Sequence, residues 1–141
     1  MAVFSFYLFD RTGTCLCYHE WQRTRQPQDM SDDHKNMFGM LFALRNFSIK
    51  LSPDAERGIP SFFVTDVYAL HYFETATGLR FVLNTSNDFK GVDVTHALSE
   101  IYNSVFVEYV VKNPLYTRGN VIKSDLFITK LDDYIRALPC F

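Results

Sequence analysis

The amino-acid sequence predicts an α+β domain: a five-stranded, mostly antiparallel sheet with one helix on one face and two on the other, in the order ββ-α-βββ-α-α. Three observations carry this. The chain opens on two runs rich in aromatic and β-branched residues, residues 3–9 and 15–21, around a short turn containing Gly13, the pattern of a β-hairpin. In the first run both parities are apolar, Phe4, Phe6 and Leu8 on one side and Val3, Tyr7 and Phe9 on the other. A sheet wet on one side would alternate apolar with polar, so this one is expected to be covered on both. Last, one segment of helical period precedes the remaining strands and two follow them.

The elements follow in order. Gln22 to Met30 is polar, holds Pro27 and reads as a loop. Ser31 is expected to cap the first helix, with Asp32 and Asp33 opposing its dipole, and the helix runs to about Leu51 before Pro53. After a loop over residues 54–60, Ser61 to Val67, Tyr68 to Thr75 and Leu79 to Thr85 read as three strands, the last two joined around Gly78. Residues 87–91 read as another loop. Asp93 is placed to cap a second helix through Lys112, closed by Asn113-Pro114. A loop with Gly119 leads to Ser124-Asp125, which opens the last helix, ending near Leu138. No repeat, low-complexity stretch or linker interrupts residues 1–141, which read as a single domain.

Composition narrows the function classes. A chain of 141 residues buries about 68–70% of its unfolded surface and needs no metal or disulfide to hold it. A net charge of −2 favours neither nucleic acid nor an anionic membrane. The three cysteines are an odd count; Cys15 and Cys17 are expected to share one strand face, unable to bridge each other, and a reduced cytosolic chain is the simplest reading. Residues 2–9 are too short for a signal or a span, Ala2 stands where myristoylation needs glycine, and Cys140 is misplaced for prenylation. No leader and no direct membrane insertion are expected. The sequons at Asn46 and Asn84 read as chance.

Chemistry is sought and not found. His19, His34, His71 and His96 fall on different elements without ligand spacing, and Cys15-x-Cys17 is not a C-x-x-C pair. Neither a phosphate-cradling glycine loop nor a nucleophile elbow is present. Asp32-Asp33 and Asp132-Asp133 read as helix caps or solvated faces, and Arg11, Arg23 and Arg25 form a basic patch without interleaved aromatics. A small cytosolic enzyme would need a convergent nucleophile and base that the sequence does not display. No catalytic residue, metal or cofactor is expected.

The anomaly is excess apolar surface on the helices. On the first, Met37, Met40, Leu41, Leu44 and Leu51 form one stripe, and Phe38, Phe42 and Ile49 form a second beside it with Arg45 between. One sheet needs roughly a 100° stripe, and this helix is apolar over about twice that. The second helix shows a core stripe of Val94, Ala97, Leu98, Ile101, Val105 and Tyr109, but its end, Val105 to Val111, is apolar nearly all round. Glu108 falls near the core sector there, where an unpaired charge is costly. The inward face of the third helix is Phe127, Leu131, Tyr134, Ile135 and Leu138. Two widened apolar surfaces point to a protein that sits between partners.

The run Tyr7-Leu-Phe-Asp-Arg-x-Gly-x-Cys15, then Tyr18-x-Glu-Trp21, Met37-Phe-Gly-Met-Leu-Phe42, Leu70-His-Tyr72 with Glu74-Thr75, and Val110-Val-Lys-Asn-Pro-Leu115 closely resembles the small longin-like core subunits of the TRAPP (transport protein particle) vesicle-tethering complex. The resemblance covers Val3 to Phe141. It implies a longin-like fold and a scaffold role between endoplasmic reticulum and Golgi, peripheral at the cis-Golgi through the complex. It further implies that the assembled subunits together exchange guanine nucleotide on a Rab-type GTPase, with no covalent chemistry from this chain. Such domains pair through the first helix and a sheet edge. The residues expected to bind partners are Phe38, Phe42, Arg45, Ile49, Val107, Val111, Lys112, Asn113 and Pro114. A clathrin-adaptor-like small subunit shares the fold but lacks the pattern at the hairpin and at Lys112-Asn-Pro114.

Overall fold

The computed structural model describes residues 3–22, 28–51, 53, 62–64, 66–86, 94–117 and 120–138. Strands β1 (Val3–Phe9), β2 (Cys15–Glu20), β3 (Phe62–Val64), β4 (Tyr68–Glu74) and β5 (Arg80–Ser86) form one sheet in the order β2-β1-β5-β4-β3. Every neighbouring pair is antiparallel. Helix α1 (Met30–Leu51) covers one face; α2 (Val94–Glu100), which continues directly into a π-helical segment (Ile101–Val111), and α3 (Asp125–Arg136) cover the other. The element order is the expected one.

Boundaries differ in instructive ways. Helix α1 starts at Met30, and its cap is Asp29 rather than Ser31: the Asp29 carboxylate accepts the Ser31 N–H at 2.9 Å. A charged acceptor there also answers the helix dipole, which a serine cannot. Ser124 caps α3 as expected, its hydroxyl accepting the Phe127 N–H at 3.3 Å. Strand β3 spans three residues instead of Ser61 to Val67, because Asp66 and Val67 bend away exposed; Ser61, Thr65 and the cap assigned to Asp93 lie outside the described residues.

Two β-bulges decide which side chains face which helix. Leu8 pairs with Cys17 and Phe9 with Cys15, so Leu16 is an extra residue in β2. Leu16 and Cys17 therefore both face the α2–α3 side of the sheet, while Cys15 turns to the α1 side. The expectation that the two cysteines share a face is thereby corrected, since one inserted residue reverses the alternation. Burial pushes the Cys15 thiol up to about 11 and the Cys17 thiol to about 12, so both are protonated, inert packing groups at neutral pH. A second shift, between Val3 and Ser5, moves Val3 onto the face of Phe6 and Leu8 and away from Tyr7 and Phe9.

The larger core lies beneath α2, the π segment and α3. Phe6, Leu8, Phe81 and Leu83 of the sheet meet Leu98, Ile101, Phe106, Phe127, Leu131 and Ile135. Phe81 and Phe127 each set an edge against Phe106, at 5.7 and 6.3 Å. The π winding corrects the expected stripe. Its buried positions are Ile101, Val105, Phe106 and Val110, spaced by four and five rather than three and four. Phe106 and Val110 thus fill the core where Tyr109 was expected, and Tyr109 is only half-buried. Glu108 turns to solvent and pairs with Lys112 at 3.1 Å. The Lys112 N–H, bonded to Val107 O five residues back, closes the segment.

Beyond it the chain returns along β2, where the Ile122 N–H donates to Leu16 O at 2.8 Å and covers part of that sheet edge. Asp132 of α3 accepts from Trp21 Nε1 and from Arg136, tying the end of β2 to α3. Asp132 is therefore a structural acceptor between elements, not merely a solvated face.

Candidate partner-binding surface

Helix α1 meets the sheet through one buried side chain among the described residues, Leu41, which packs with Tyr7, Phe9, Leu70, Tyr72 and Val82. Tyr7 donates its hydroxyl to Asp33 at 2.9 Å, fixing the start of the helix over β1. The second stripe then divides. Phe38 is half-buried, 5.7 Å from Phe9, with its ring over the β1–β2 turn. Gly13 makes room for it: at φ 95° the residue has no Cβ, and one placed there would stand 3.0 Å from that ring. Phe42 stacks outside Phe38 at 6.4 Å and remains 50% exposed. Ile49 is half-buried. On the opposite flank Phe47 and Leu51 are exposed. Leu51, expected to face the sheet, is 69% exposed, because ten residues past Leu41 the helical step carries it about 80° off the buried line.

Charged groups lie between this helix and the sheet. Arg45 Nε donates to Glu74 Oε2 at 2.8 Å, and Arg80 Nε stands 3.5 Å from Glu74 Oε1. Glu74 and Arg80 are cross-strand neighbours at the ends of β4 and β5. The Arg80 guanidinium carbon lies 4.9 Å from the centre of the Phe38 ring, a cation–π contact. The hydrogen bond to Glu74 raises Arg45 above its ordinary value, and burial, aided by the Glu74 charge, pushes Tyr72 up to about 12.

The remaining expected residues occupy the other face. Val107 packs half-buried against the core, whereas Val111 is exposed at the end of the π segment. Lys112 is held by Glu108, Asn113 Oδ1 accepts the Leu115 N–H at 3.0 Å, and Pro114 is exposed. Val111 lines a cleft of about 640 Å³ with Arg11, Leu79, Tyr102, Phe106 and Tyr116. The structure therefore does not unite the nine residues. It sets them on opposite faces of the sheet, both groups reaching the β1–β2 turn.

Exposed apolar residues that sequence reading passed over are Phe47, Leu115, Val121 and Leu126; Leu115 is 91% exposed. An isolated leucine in the polar stretch after Pro114 was the available signal for that one. Among the described residues no group of three His, Cys, Asp or Glu side chains is placed to hold a metal ion, and no helix is long and apolar enough to cross a membrane. His71 Nε2 lies 3.0 Å from Thr85 Oγ1 inside the fold, and burial lowers its pKa to about 4. It is a neutral core histidine. What this arrangement offers chemically is contact area: aromatic, aliphatic and guanidinium groups on a rigid sheet.

Residues 3–138 match the model of the Sybindin-like family. Trafficking protein particle complex subunit 1 of Rattus norvegicus is 46% identical over 145 residues, covering 100% of this chain and 97% of the relative. The subunit of the same name in Dictyostelium discoideum is 37% identical, covering 99% and 98%. Among solved structures, MglB with tetrameric arrangement is similar with a TM-score of 0.50 at 12% identity, over 75% of this chain and 76% of that one; this likeness concerns the fold alone. From one end of the described sheet to the last helix, the chain belongs to the Sybindin-like family.

Proposed function

We propose that this chain is a longin-like scaffold subunit of a TRAPP vesicle-tethering complex, of the subunit-one type. It assembles with the other core subunits and, through the assembled complex, contributes surface to nucleotide exchange on a Rab-type GTPase. It works from the cytoplasmic side, peripheral at endoplasmic reticulum and cis-Golgi, in transport between them. The observation that carries this reading is the match to subunit-one proteins over the full chain. Phe42 exposed on one flank of α1 and Phe47 and Leu51 exposed on the other, either side of a sheet-bound Leu41, supply its physical counterpart, since large apolar side chains left outside a folded core suit a protein interface. The chain contributes no covalent step; it holds partners in register.

The test is release of labelled GDP from the cognate Rab GTPase by a reconstituted core. Omitting this chain is expected to abolish exchange, and the isolated chain is expected to be inert. Full exchange by the chain alone, or by a core lacking it, would overturn the reading.

A further inference from the structure

Around Glu74 two guanidinium groups face one carboxylate. Arg45 takes Oε2 at 2.8 Å, and Arg80 stands 3.5 Å from Oε1. Neither arginine pairs with a second carboxylate among the described residues. The Arg80 side chain is nine-tenths buried, and its Nε and Nη1 make no hydrogen bond. A buried cation short of acceptors is unfavourable, and the Phe38 ring beneath it offsets only part of that cost. The excess positive charge has one outlet. Arg45, at 29% exposure, lies three residues, about one turn, from the exposed Phe42 on the same helix and is the accessible end of the group.

We propose that Arg45 and Phe42 form a two-part docking notch for a partner protein that presents one aspartate or glutamate beside an apolar segment. The partner's carboxylate sits on the outer edge of the Arg45 guanidinium, and its apolar side chains cover Phe42. The charges then alternate in a row: Arg80, Glu74, Arg45, partner carboxylate. Glu74 holds Arg45 by Nε alone, which orients the rest of the planar fork for a second acid. Arg80 supplies the unbalanced charge from below, so the notch attracts an acidic partner before contact. This inference rests on the reading of α1 as a partner-facing surface.

The probe is the set of remaining TRAPP subunits co-expressed without this chain. Its affinity for the wild type, Arg45→Gln, Arg45→Lys and Phe42→Ser is measured at low and high salt, about 0.05 and 0.5 M. Arg45→Gln is expected to weaken binding at least about tenfold at low salt and to remove most of the salt dependence. Arg45→Lys is expected to recover part of the loss, because a point charge replaces the planar fork. Phe42→Ser is expected to weaken binding while keeping the salt dependence. Thermal melting of each variant checks folding, and Arg80 still faces Glu74 when Arg45 is replaced. Should Arg45→Gln fail to fold, Arg45→Met decides: wild-type affinity and salt dependence in that folded, uncharged variant would overturn the notch.

Wild-type binding by a folded Arg45→Gln with weakened binding by Phe42→Ser would also overturn it, while leaving the α1 reading intact. Wild-type binding by both would remove the α1 reading as well. Self-association of this chain through the same two residues would replace the acidic partner with a second copy and overturn the proposal.

Discussion

On the α2–α3 side of the sheet, Phe81, Leu83, Phe106, Phe127 and Leu131 meet in a hydrocarbon and aromatic layer closed by two helical elements. On the α1 side, Leu41 and Leu70 share the interface with the Tyr7–Asp33 and Ser5–Asn84 hydrogen bonds and with Arg45, Glu74 and Arg80. The same strands build both layers, yet the first seals its aromatic rings and the second leaves Phe42, Phe47 and Leu51 in solvent. Two helical elements laid on one face can cover each other's flanks. A single helix on the other cannot. The difference separates what stabilises the fold from what is available for assembly: the α2–α3 layer supplies most of the buried area, and the α1 layer supplies orientation and contact surface.

The largest effect that tests this division is expected in the sealed layer. Phe127→Ala should cost about 3–5 kcal/mol in urea unfolding, since the ring is fully buried against Phe106. Leu41→Ala should cost about 2 kcal/mol, the low end of the range for such truncations, because its half-buried neighbours Met37 and Met40 can close on the space. Phe42→Ser should change folding by less than about 0.5 kcal/mol. If Leu41→Ala proves as damaging as Phe127→Ala, the two layers are equivalent and the division is wrong.

The layering itself was readable from the sequence, because both parities of residues 3–9 are apolar and only a sheet covered twice accommodates that. The facing of individual residues was not. A bulge adds one ordinary residue, Leu16, with no glycine or proline to mark it, and so Cys15 and Cys17 were placed on one face. The π segment was legible in principle: Ile101 with Phe106, and Val105 with Val110, repeat at five, a spacing that a search at 3.6 passes over. On the candidate surface, Phe42 was found from its stripe, whereas the partial burial of Phe38 depends on the empty position above Gly13, which only the folded hairpin creates. The Arg45–Glu74–Arg80 group joins a helix to two strands, and nothing in the spacing of those residues announces it.

An intermediate effect is expected from pH, again with one group in each window. His71, neutral in the fold with its pKa lowered by burial to about 4, takes up a proton in the unfolded chain near pH 6.5. The unfolded state therefore binds more protons between those values, and stability should fall as pH drops from about 6.5 to 4. His71→Gln should flatten that portion of the curve. Asp132 belongs to a lower window. Burial alone would raise it, but hydrogen bonds from Trp21 and Arg136 and the charges of Arg136 and His19 outweigh burial and hold its carboxyl below the usual range. Its contribution is present above the ordinary carboxylate pKa and is lost as pH falls through the lowered value; Asp132→Asn should remove only this more acidic loss. Unfolding curves across pH for the two variants check the assignment, and a His71→Gln curve parallel to wild type would refute the first part.

The smallest effects should come from the helix caps, where the two layers can be compared amide by amide. Asp29→Ala removes a charged acceptor 2.9 Å from the Ser31 N–H, and Ser124→Ala removes a neutral one 3.3 Å from the Phe127 N–H; each should cost about 1 kcal/mol or less, with Asp29 the larger through the dipole. Hydrogen exchange distinguishes their reach. Helix α3 is bound into the sealed core by Phe127, Leu131 and Ile135, so its inner amides should open only with the whole protein and exchange faster by the global loss alone. Helix α1 rests on the single buried Leu41 among its described side chains and on polar ties to Tyr7 and Glu74. Fraying its first turn should therefore speed exchange along α1 beyond the global change, as a locally opening unit. Equal acceleration across both helices in Asp29→Ala would mean that α1 unfolds only with the core, and the contrast between a sealed and an open layer would fail.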